Sequence, residues 1–148
     1  MRNVWSFVKD YKFSLLVVAV ILFLSFFKPP HTELDEITNF DKFVHFCMYF
    51  GFSVVIWLEY LRRHRNDASR WVIHNTGFSV NWLALLMGAM VLPIVLSGAI
   101  ELGQQYLTTH RGGEWWDFAS NSTGVVMAAL CGYVFLRCRR RRGRGRGE

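Results

Sequence analysis

Four long apolar segments dominate the hydrophobic pattern of the chain, and each is continuous rather than alternating. They cover residues 11–27, 43–61, 82–106 and 117–136. A surface helix of a soluble protein keeps a polar stripe along its length, whereas these segments are apolar on all sides except at a few positions. A transmembrane helix needs about 20 mostly apolar residues. We therefore predict an all-α integral membrane protein, a bundle of four transmembrane helices that forms one domain over residues 1–148.

The first apolar segment follows a basic N-terminal stretch, as the hydrophobic part of a signal peptide does. It ends at Lys28-Pro29-Pro30, without the small residues of a cleavage site. We therefore expect an uncleaved first span. Cysteines 47, 131 and 138 have neither disulfide nor zinc-finger spacing, and we expect them to be buried thiols.

Basic residues are distributed unevenly among the segments between the spans. The N-terminal segment, residues 62–79 and the tail 137–148 hold 3, 4 and 7 of them, whereas residues 28–42 hold two and residues 107–117 hold one. Cytoplasmic loops of membrane proteins carry the excess of Lys and Arg. This pattern predicts that both termini and the middle loop are cytoplasmic. The composition of the tail predicts disorder.

Polar residues interrupt the spans mainly near the opposite, outer membrane face. An ionisable side chain in a membrane costs about 2.5–3.5 kcal/mol even on lenient scales, so it indicates function by default. Glu101 and Gln104 (i, i+3) share one helix face, and Asp117 and Asn121 (i, i+4) share another. The beginning of the second span adds Asp41, Lys42 and His45, and the turn between the third and fourth spans adds Arg111.

Structural explanations compete with function at some of these positions. Asp41 and Asp117 lie where acidic residues cap helix N-termini. Glu59, the polar residue nearest the inner face, has basic neighbours at i+3 and i+4, Arg62 and Arg63, with which we expect it to pair. Capping does not explain His45, Glu101 or Asn121, for which we favour either function or a polar network that holds the helices together.

The polar residues, taken in order, resemble the motifs of the VanZ-like family of small bacterial membrane proteins. The matching residues are Asp41-Lys42 with His45, Glu101 with Gln104, Arg111, and Asp117 with Asn121 and Gly124. The resemblance covers about residues 35–136. Residues 105–111 are longer than the family's turn, so Gln105 is an alternative to Gln104, which we favour because it shares a face with Glu101. The resemblance implies a role at the cell envelope, in the bacterial cytoplasmic (inner) membrane, and the family's founding member is associated with teicoplanin resistance.

Three chemical interpretations of these residues remain open. In the first, Arg111 and Lys42, helped by Asp41, Gln104 and Asn121, bind an anionic lipid or glycolipid headgroup. In the second, the site is an enzyme that modifies such a headgroup, with Glu101, His45 and Asp117 as candidate catalytic residues for acid–base chemistry. In the third, the network only holds the helices in register, as in a structural or assembly subunit.

We expect no metal and no cofactor. A metal site formed by His45, Asp41, Glu101 and Asp117 would draw ligands from three helices without local spacing, and Arg111 and Lys42 would oppose a cation. The expected partner is a membrane lipid or a lipid-linked envelope precursor, with anionic lipid at the basic tail and no nucleic acid. Four spans are few for a transporter, so most transport schemes would need a homodimer.

Two further features predict how the helices pack. Small residues at Gly124, Ala128 and Gly132 continue the stripe of Asp117 and Asn121, and this spacing is typical of close helix pairs. We expect the third span to be the partner, because it contains Gly98 and Gly103. Pro93 within the third span predicts a kink.

Overall fold

Helices make up nearly all of the residues that the structure, a computed structural model, describes: 4–26, 40–71, 81–107 and 114–144. No strand occurs within these ranges, which confirms the all-α class. In chain order the elements are α1 (Val4–Asp10), α2 (Lys12–Phe26), α3 (Phe40–Trp71), α4 (Trp82–Leu86), a π-helical segment (Met87–Val91), α5 (Leu92–Leu107) and α6 (Trp115–Arg144).

Three helical segments are long and apolar enough to cross a membrane: Phe40–Arg63, Leu83–Tyr106 and Trp115–Cys138. Their mean hydropathies are 1.4, 2.4 and 1.4, and large apolar side chains cover their outer surfaces. These are the features of a multi-pass membrane protein. The predicted first span corresponds to α2, which is apolar but only 15 residues long. The described part of the chain therefore supplies three helices of spanning length rather than four.

Two helices continue beyond the ends that the hydrophobic pattern predicts. Helix α3 extends to Trp71 and α6 to Arg144, whereas the apolar segments end at residues 61 and 136. The prediction of a disordered tail from residue 137 is therefore wrong up to Arg144, and residues 145–148 lie outside the described ranges. Arginine has a high helix propensity. Both helices can therefore continue beyond their apolar segments into arginine-containing sequence.

Helix α3 is the central element of the bundle. Its buried face carries Tyr49, Phe52, Ile56 and Tyr60, at helical spacing, and these residues lie in the core together with residues of α2, α4, α5 and α6. Core residues on the other helices include Ile21, Leu85, Ile100 and Val125.

The glycines of the small-residue stripe of α6 face α3, whereas Asn121 and Phe118 of α6 contact the third predicted span. A Cβ added at Gly124 would overlap the carbonyl oxygen of Phe46 and lie 3.0 Å from the amide nitrogen of Phe50. A Cβ added at Gly132 would lie 2.7 Å from the Trp57 ring. The expectation that the third span is the close partner of Gly124 and Gly132 is therefore wrong, although Gly98 of that span does lie near Phe118 of α6. Small-residue spacing indicates a close approach, but it does not identify the partner helix.

Pro93 lies just after the π-helical segment. Proline has no N–H, so it leaves the carbonyl oxygen of Ala89, four residues earlier, without its usual helical donor. The Ser53 hydroxyl of α3 donates a hydrogen bond to this oxygen. The irregularity that Pro93 predicts thus takes the form of a π-helical turn, and a neighbouring helix satisfies the released backbone group.

Glu59 binds the beginning of α2 rather than an arginine of its own helix. Its Oε1 accepts a hydrogen bond from the Phe13 N–H at 2.9 Å, and its Oε2 accepts bonds from the Ser14 N–H, at 3.0 Å, and from the Ser14 hydroxyl. Arg63 instead lies 3.4 Å from Asp10. The expected pairing of Glu59 with Arg62 or Arg63 is therefore corrected. A carboxylate at a helix N-terminus satisfies N–H groups that have no partner within the helix.

Contacts between helices define two ends of the bundle. One end, called the site end below, joins Ser25 to Gln104, His45 to Asn121, and Glu101 to Glu114. The opposite end joins Phe13 to Glu59, Tyr60 to Asn81, and Trp57 to Gly132. Helices α2, α3, α4–α5 and α6 therefore alternate in direction, and α3 and α6 run parallel.

The three cysteines are free and exposed, which corrects the expectation of buried thiols. Cys47 and Cys131 lie on the outer surfaces of α3 and α6 within apolar segments, and Cys138 lies between two arginines near the end of α6. Apolar neighbours in the sequence do not show whether a residue lies in the protein core or faces lipid.

Candidate functional site

The site end contains a group of polar side chains that we call the polar cluster: Asp41, Lys42, His45, Ser97, Glu101, Glu114, Asp117 and Asn121. Helix α3 supplies Asp41 and His45 one turn apart, and the close approach at Gly124 brings the beginning of α6 against them. The cluster therefore depends on an α3–α6 contact that only glycine permits.

Asn121 lies at the centre of the polar cluster and is 1 % exposed. Its Nδ2 donates to Ser97 Oγ at 2.8 Å and to Glu101 Oε1 at 3.5 Å. Its Oδ1 lies 3.1 Å from His45 Nδ1. Because a carboxylate only accepts hydrogen bonds, the amide orientation is defined, and Nδ1 of His45 carries the proton. One amide thereby connects α3, α5 and α6.

The other ring nitrogen of His45 faces two carboxylates. Nε2 lies 3.8 Å from Asp41 Oδ1 and 3.9 Å from Asp117 Oδ2. Both distances exceed those of a direct hydrogen bond. Asp41 is open to solvent, with 60 % of its side chain exposed, whereas 8 % of the Asp117 side chain is exposed. The imidazole is therefore held from one side and surrounded by negative charge on the other.

Lys42 is the cation of the described cluster. Its Nζ lies 3.6 Å from Glu114 Oε2 and 4.0 Å from Asp117 Oδ1. Asp117 Oδ1 is buried and makes no hydrogen bond within the described residues. Asp117 thus directs its side chain at Lys42 and His45 of α3, so capping of its own helix does not account for its position.

Glu101 supports the beginning of α6. Its Oε2 accepts a hydrogen bond from the backbone N–H of Glu114, the residue that precedes α6, at 3.2 Å. Its Oε1 is within 3.5 Å of Asn121. Glu101 is 8 % exposed. These contacts give Glu101 a structural role in joining α5 to α6, whatever chemistry it performs.

Gln104 reaches a different helix from Glu101, although the two share a face of α5. Its Nε2 donates to the carbonyl oxygen of Ser25 in the last turn of α2 at 2.7 Å. Gln104 is 2 % exposed, and its neighbour Gln105 is exposed. Gln104, the residue that we favour as the motif glutamine, is thus the buried one of the two. Its described bond holds α2 in place.

Arg111, the predicted anion-binding residue, lies outside the described residues. The structure brings together the other predicted residues on α3, α5 and α6, with Gln104 turned to α2. Sequence reasoning missed Ser97 and Glu114. Ser97 lies four residues before Glu101 and so on the same face of α5, a signal that was available. Glu114 becomes part of the site through its backbone N–H, which binds Glu101, and through its carboxylate, which lies 3.6 Å from Lys42. The sequence gives no signal for the backbone contact.

Three side chains of the cluster have the arrangement of a metal site. One ligand atom each from Asp41, His45 and Asp117 lies within 4.8 Å of the others. Two helices supply these ligands, and Asp41 and His45 have the local i, i+4 spacing, which corrects the view that any metal ligands would come from three helices without local spacing. Glu101 does not belong to this set.

The polar cluster can bind a polar headgroup, transfer protons through an oriented imidazole, or hold a cation between carboxylates. Comparison of the chain with protein-family models, with curated proteins and with solved structures gives no match.

Proposed function

We propose that the protein is a VanZ-like, four-span membrane protein of the bacterial cytoplasmic membrane with both termini in the cytoplasm. In this proposal the polar cluster lies below the outer surface and recognises the anionic headgroup of an envelope lipid or lipid-linked precursor. A link to teicoplanin resistance follows from the same resemblance. Helix α2, extended by α1, supplies the first span.

The observation that carries the proposal is the buried network of His45, Asn121 and Glu101, which joins three helices at one end of the bundle. Polar groups of this kind are not expected on a lipid-facing surface, because a polar atom without a hydrogen bond is energetically costly in hydrocarbon. Partly exposed Lys42 lies at the rim of this network. A headgroup that reaches the rim would meet a cation, with preoriented hydrogen-bonding groups below it.

The charge balance of the described cluster makes Arg111 decisive for an anionic ligand. Asp41, Glu101, Glu114 and Asp117 oppose Lys42, so the described part of the cluster is acidic. Anion recognition therefore depends on added positive charge. Arg111 is suited to this role because its guanidinium binds phosphate or carboxylate through two hydrogen bonds.

Acid–base catalysis on the same headgroup is the second candidate function. The observation that favours it is the orientation of His45, whose Nδ1 is held by Asn121 while Nε2 faces the exposed Asp41 carboxylate and the buried Asp117 carboxylate. A general base needs a ring that is held in position and a second nitrogen that makes no direct hydrogen bond to the protein.

Paired measurements on three variants separate the candidate functions. Arg111→Ala, Glu101→Gln and the control Glu59→Gln are expressed in a teicoplanin-sensitive host, and susceptibility is measured together with membrane abundance. Anionic lipids that copurify in detergent are identified by mass spectrometry. Glu59→Gln is a matched control because it alters a buried glutamate at the opposite end.

We expect Arg111→Ala to lower copurified anionic lipid roughly tenfold or more at unchanged abundance, since a charge-assisted hydrogen-bond pair is lost. Catalysis instead predicts that Glu101→Gln abolishes the resistance effect but retains the lipid. A structural subunit predicts effects that follow abundance alone, as for Glu59→Gln. Retention of the same lipid by Arg111→Ala would contradict headgroup recognition.

A further inference from the structure

We propose that Asp41, His45 and Asp117 form a binding site for one divalent metal ion of the zinc class at the site end of the bundle. The site goes beyond the proposed function and does not depend on the identity of any lipid. Its ligands would be His45 Nε2 and one carboxylate oxygen from each aspartate.

The hydrogen bonds of His45 prepare its Nε2 as a ligand. Nδ1 carries the proton and donates it to Asn121 Oδ1 at 3.1 Å, because Nδ2 of the same amide is directed at Ser97 and Glu101. A metal-binding histidine almost always donates its second ring N–H to a fixed acceptor, which sets the tautomer and the ring orientation. Asn121 is therefore the positioning residue of the site.

The distances around Nε2 leave space for an ion. A charge-assisted hydrogen bond from a protonated imidazole would bring a carboxylate oxygen to about 2.7–2.9 Å, but Asp41 and Asp117 lie at 3.8 and 3.9 Å. Two donors that are each about 2.1 Å from a zinc ion lie at most about 4.2 Å apart. All three ligand atoms are within 4.8 Å of one another, so a small rotation of the exposed Asp41 side chain completes the site.

Asp117 provides a second, independent indication of a ligand. The residue is 5 % exposed, and its Oδ1 is buried without a hydrogen bond among the described residues. A buried carboxylate needs a partner that compensates for the lost hydration. Lys42 at 4.0 Å is too distant to donate a hydrogen bond, whereas an ion coordinated by the same carboxylate supplies the missing charge.

Lys42 competes with the metal ion for Asp117. Its Nζ is closer to the exposed Glu114 carboxylate, at 3.6 Å, than to Asp117. Pairing with Glu114 keeps the ammonium at the rim when the ion is bound. Loss of the Lys42 charge should therefore strengthen metal binding.

The ligand set favours Zn²⁺ over Mg²⁺. Imidazole nitrogen suits zinc and its neighbours, whereas Mg²⁺ prefers an octahedron of oxygens and retains its water. Three protein ligands leave one position of a zinc tetrahedron open to water or to a headgroup oxygen. A metal-bound His45 would not be available as a general base, so the two roles exclude each other.

Metal titration of the purified full chain tests the proposal. Tag-free protein in detergent, in a cysteine-free background, is stripped with EDTA and titrated with Zn²⁺. Bound zinc is counted by elemental analysis, and Co²⁺ spectra report nitrogen and oxygen coordination. Variants are Asp41→Asn, Asp117→Asn and Lys42→Met. Asp10→Asn, at the opposite end, is the matched control for the loss of one carboxylate.

We expect one zinc ion per chain in the wild type, and at least about tenfold weaker binding in Asp41→Asn and Asp117→Asn. Lys42→Met should bind about threefold tighter or better, and Asp10→Asn should equal the wild type. Because Asp41 is exposed, its variant keeps the test decisive even if Asp117→Asn misfolds. Less than about one-fifth of an equivalent in the wild type, or equal affinities for Asp41→Asn and Asp10→Asn, would overturn the site.

Discussion

Asn121 is the uncharged residue that links three side chains of the site. Its amide joins the His45 imidazole, the Ser97 hydroxyl and the Glu101 carboxylate, so one uncharged side chain determines which nitrogen of His45 is available. The sequence identified Asn121 as a membrane-embedded polar residue, and polarity at this depth was a sufficient signal. Its partners were not determined by sequence, because they lie on two other helices.

We predict that Asn121→Ala destabilises the protein by roughly 1–3 kcal/mol, because it leaves buried partners unsatisfied. Thermal unfolding of the purified protein in detergent measures the effect. The control is Ser122→Ala on the next position of α6. The Ser122 hydroxyl is buried and makes no hydrogen bond among the described residues, so its removal should be nearly neutral. Equal unfolding temperatures for the two variants would contradict this account of the network.

Helix packing around α3 is the feature that decides the site at the scale of elements. The α3–α6 contact at Gly124 sets the separation between the His45 and Asn121 side chains, which lie less than two turns from it. Elsewhere α3 satisfies its neighbours directly, through Ser53 at the π-helical segment and Glu59 at α2. Ser53 binds a backbone carbonyl, and Glu59 binds two backbone N–H groups and the Ser14 hydroxyl.

Substitution of Gly124 by alanine should therefore separate α3 from α6. The new methyl group meets backbone atoms of Phe46 and Phe50, which cannot rotate away. We expect a loss of roughly 1–3 kcal/mol or more in stability and loss of any ligand bound at the polar cluster. Gly51→Ala on α3 is the control, because a Cβ there meets no atom within 4 Å. Helix propensity favours alanine over glycine by about 1 kcal/mol, so the control should be neutral or slightly stabilised. Comparable losses in both variants would argue against a close α3–α6 contact.

The apolar pattern predicted that the chain forms long apolar helices. It did not predict which helices pack together, because that depends on contacts with backbone groups, which look the same in every sequence. The wrong expectation for Glu59 illustrates the reason. Arg62 and Arg63 lie nearby in sequence, but Glu59 instead accepts hydrogen bonds from backbone N–H groups at the start of α2. Every helix has such N–H groups at its N-terminus, so no particular residue type marks them in the sequence. Gln104 is buried and Gln105 is exposed, and the bond of Gln104 to the Ser25 carbonyl has no sequence signature.

At the scale of the whole molecule, the two ends of the bundle differ in their polar residues: the site end has a buried polar cluster, and the opposite end has basic residues on its surface. The polar cluster lies at the site end, while Lys9, Lys12, Arg62 and Arg63 surround the opposite end. Basic residues favour the cytoplasmic face. This separation of charge is the physical basis for the proposed orientation.

Cysteine labelling in intact cells tests that orientation. In an otherwise cysteine-free chain, Thr32→Cys should react with a membrane-impermeant maleimide added outside the cytoplasmic membrane. A chain that retains only Cys138, beyond the apolar part of α6, should react only after the membrane is opened. Cys138 is exposed, so burial does not explain protection. Labelling of Cys138 in sealed cells would reverse the proposed topology and place the polar cluster inside.

The two bonds that hold α2 have a consequence for assembly. Glu59 of α3 holds the first turn of α2, and Gln104 of α5 holds the last. A piston-like shift of α2 along its axis would break both restraints, so this helix is poorly suited to sliding during a transport or signalling cycle. During synthesis, moreover, the second restraint does not exist until α5 has been made. The register of the first helix is therefore completed late, when most of the chain has already entered the membrane.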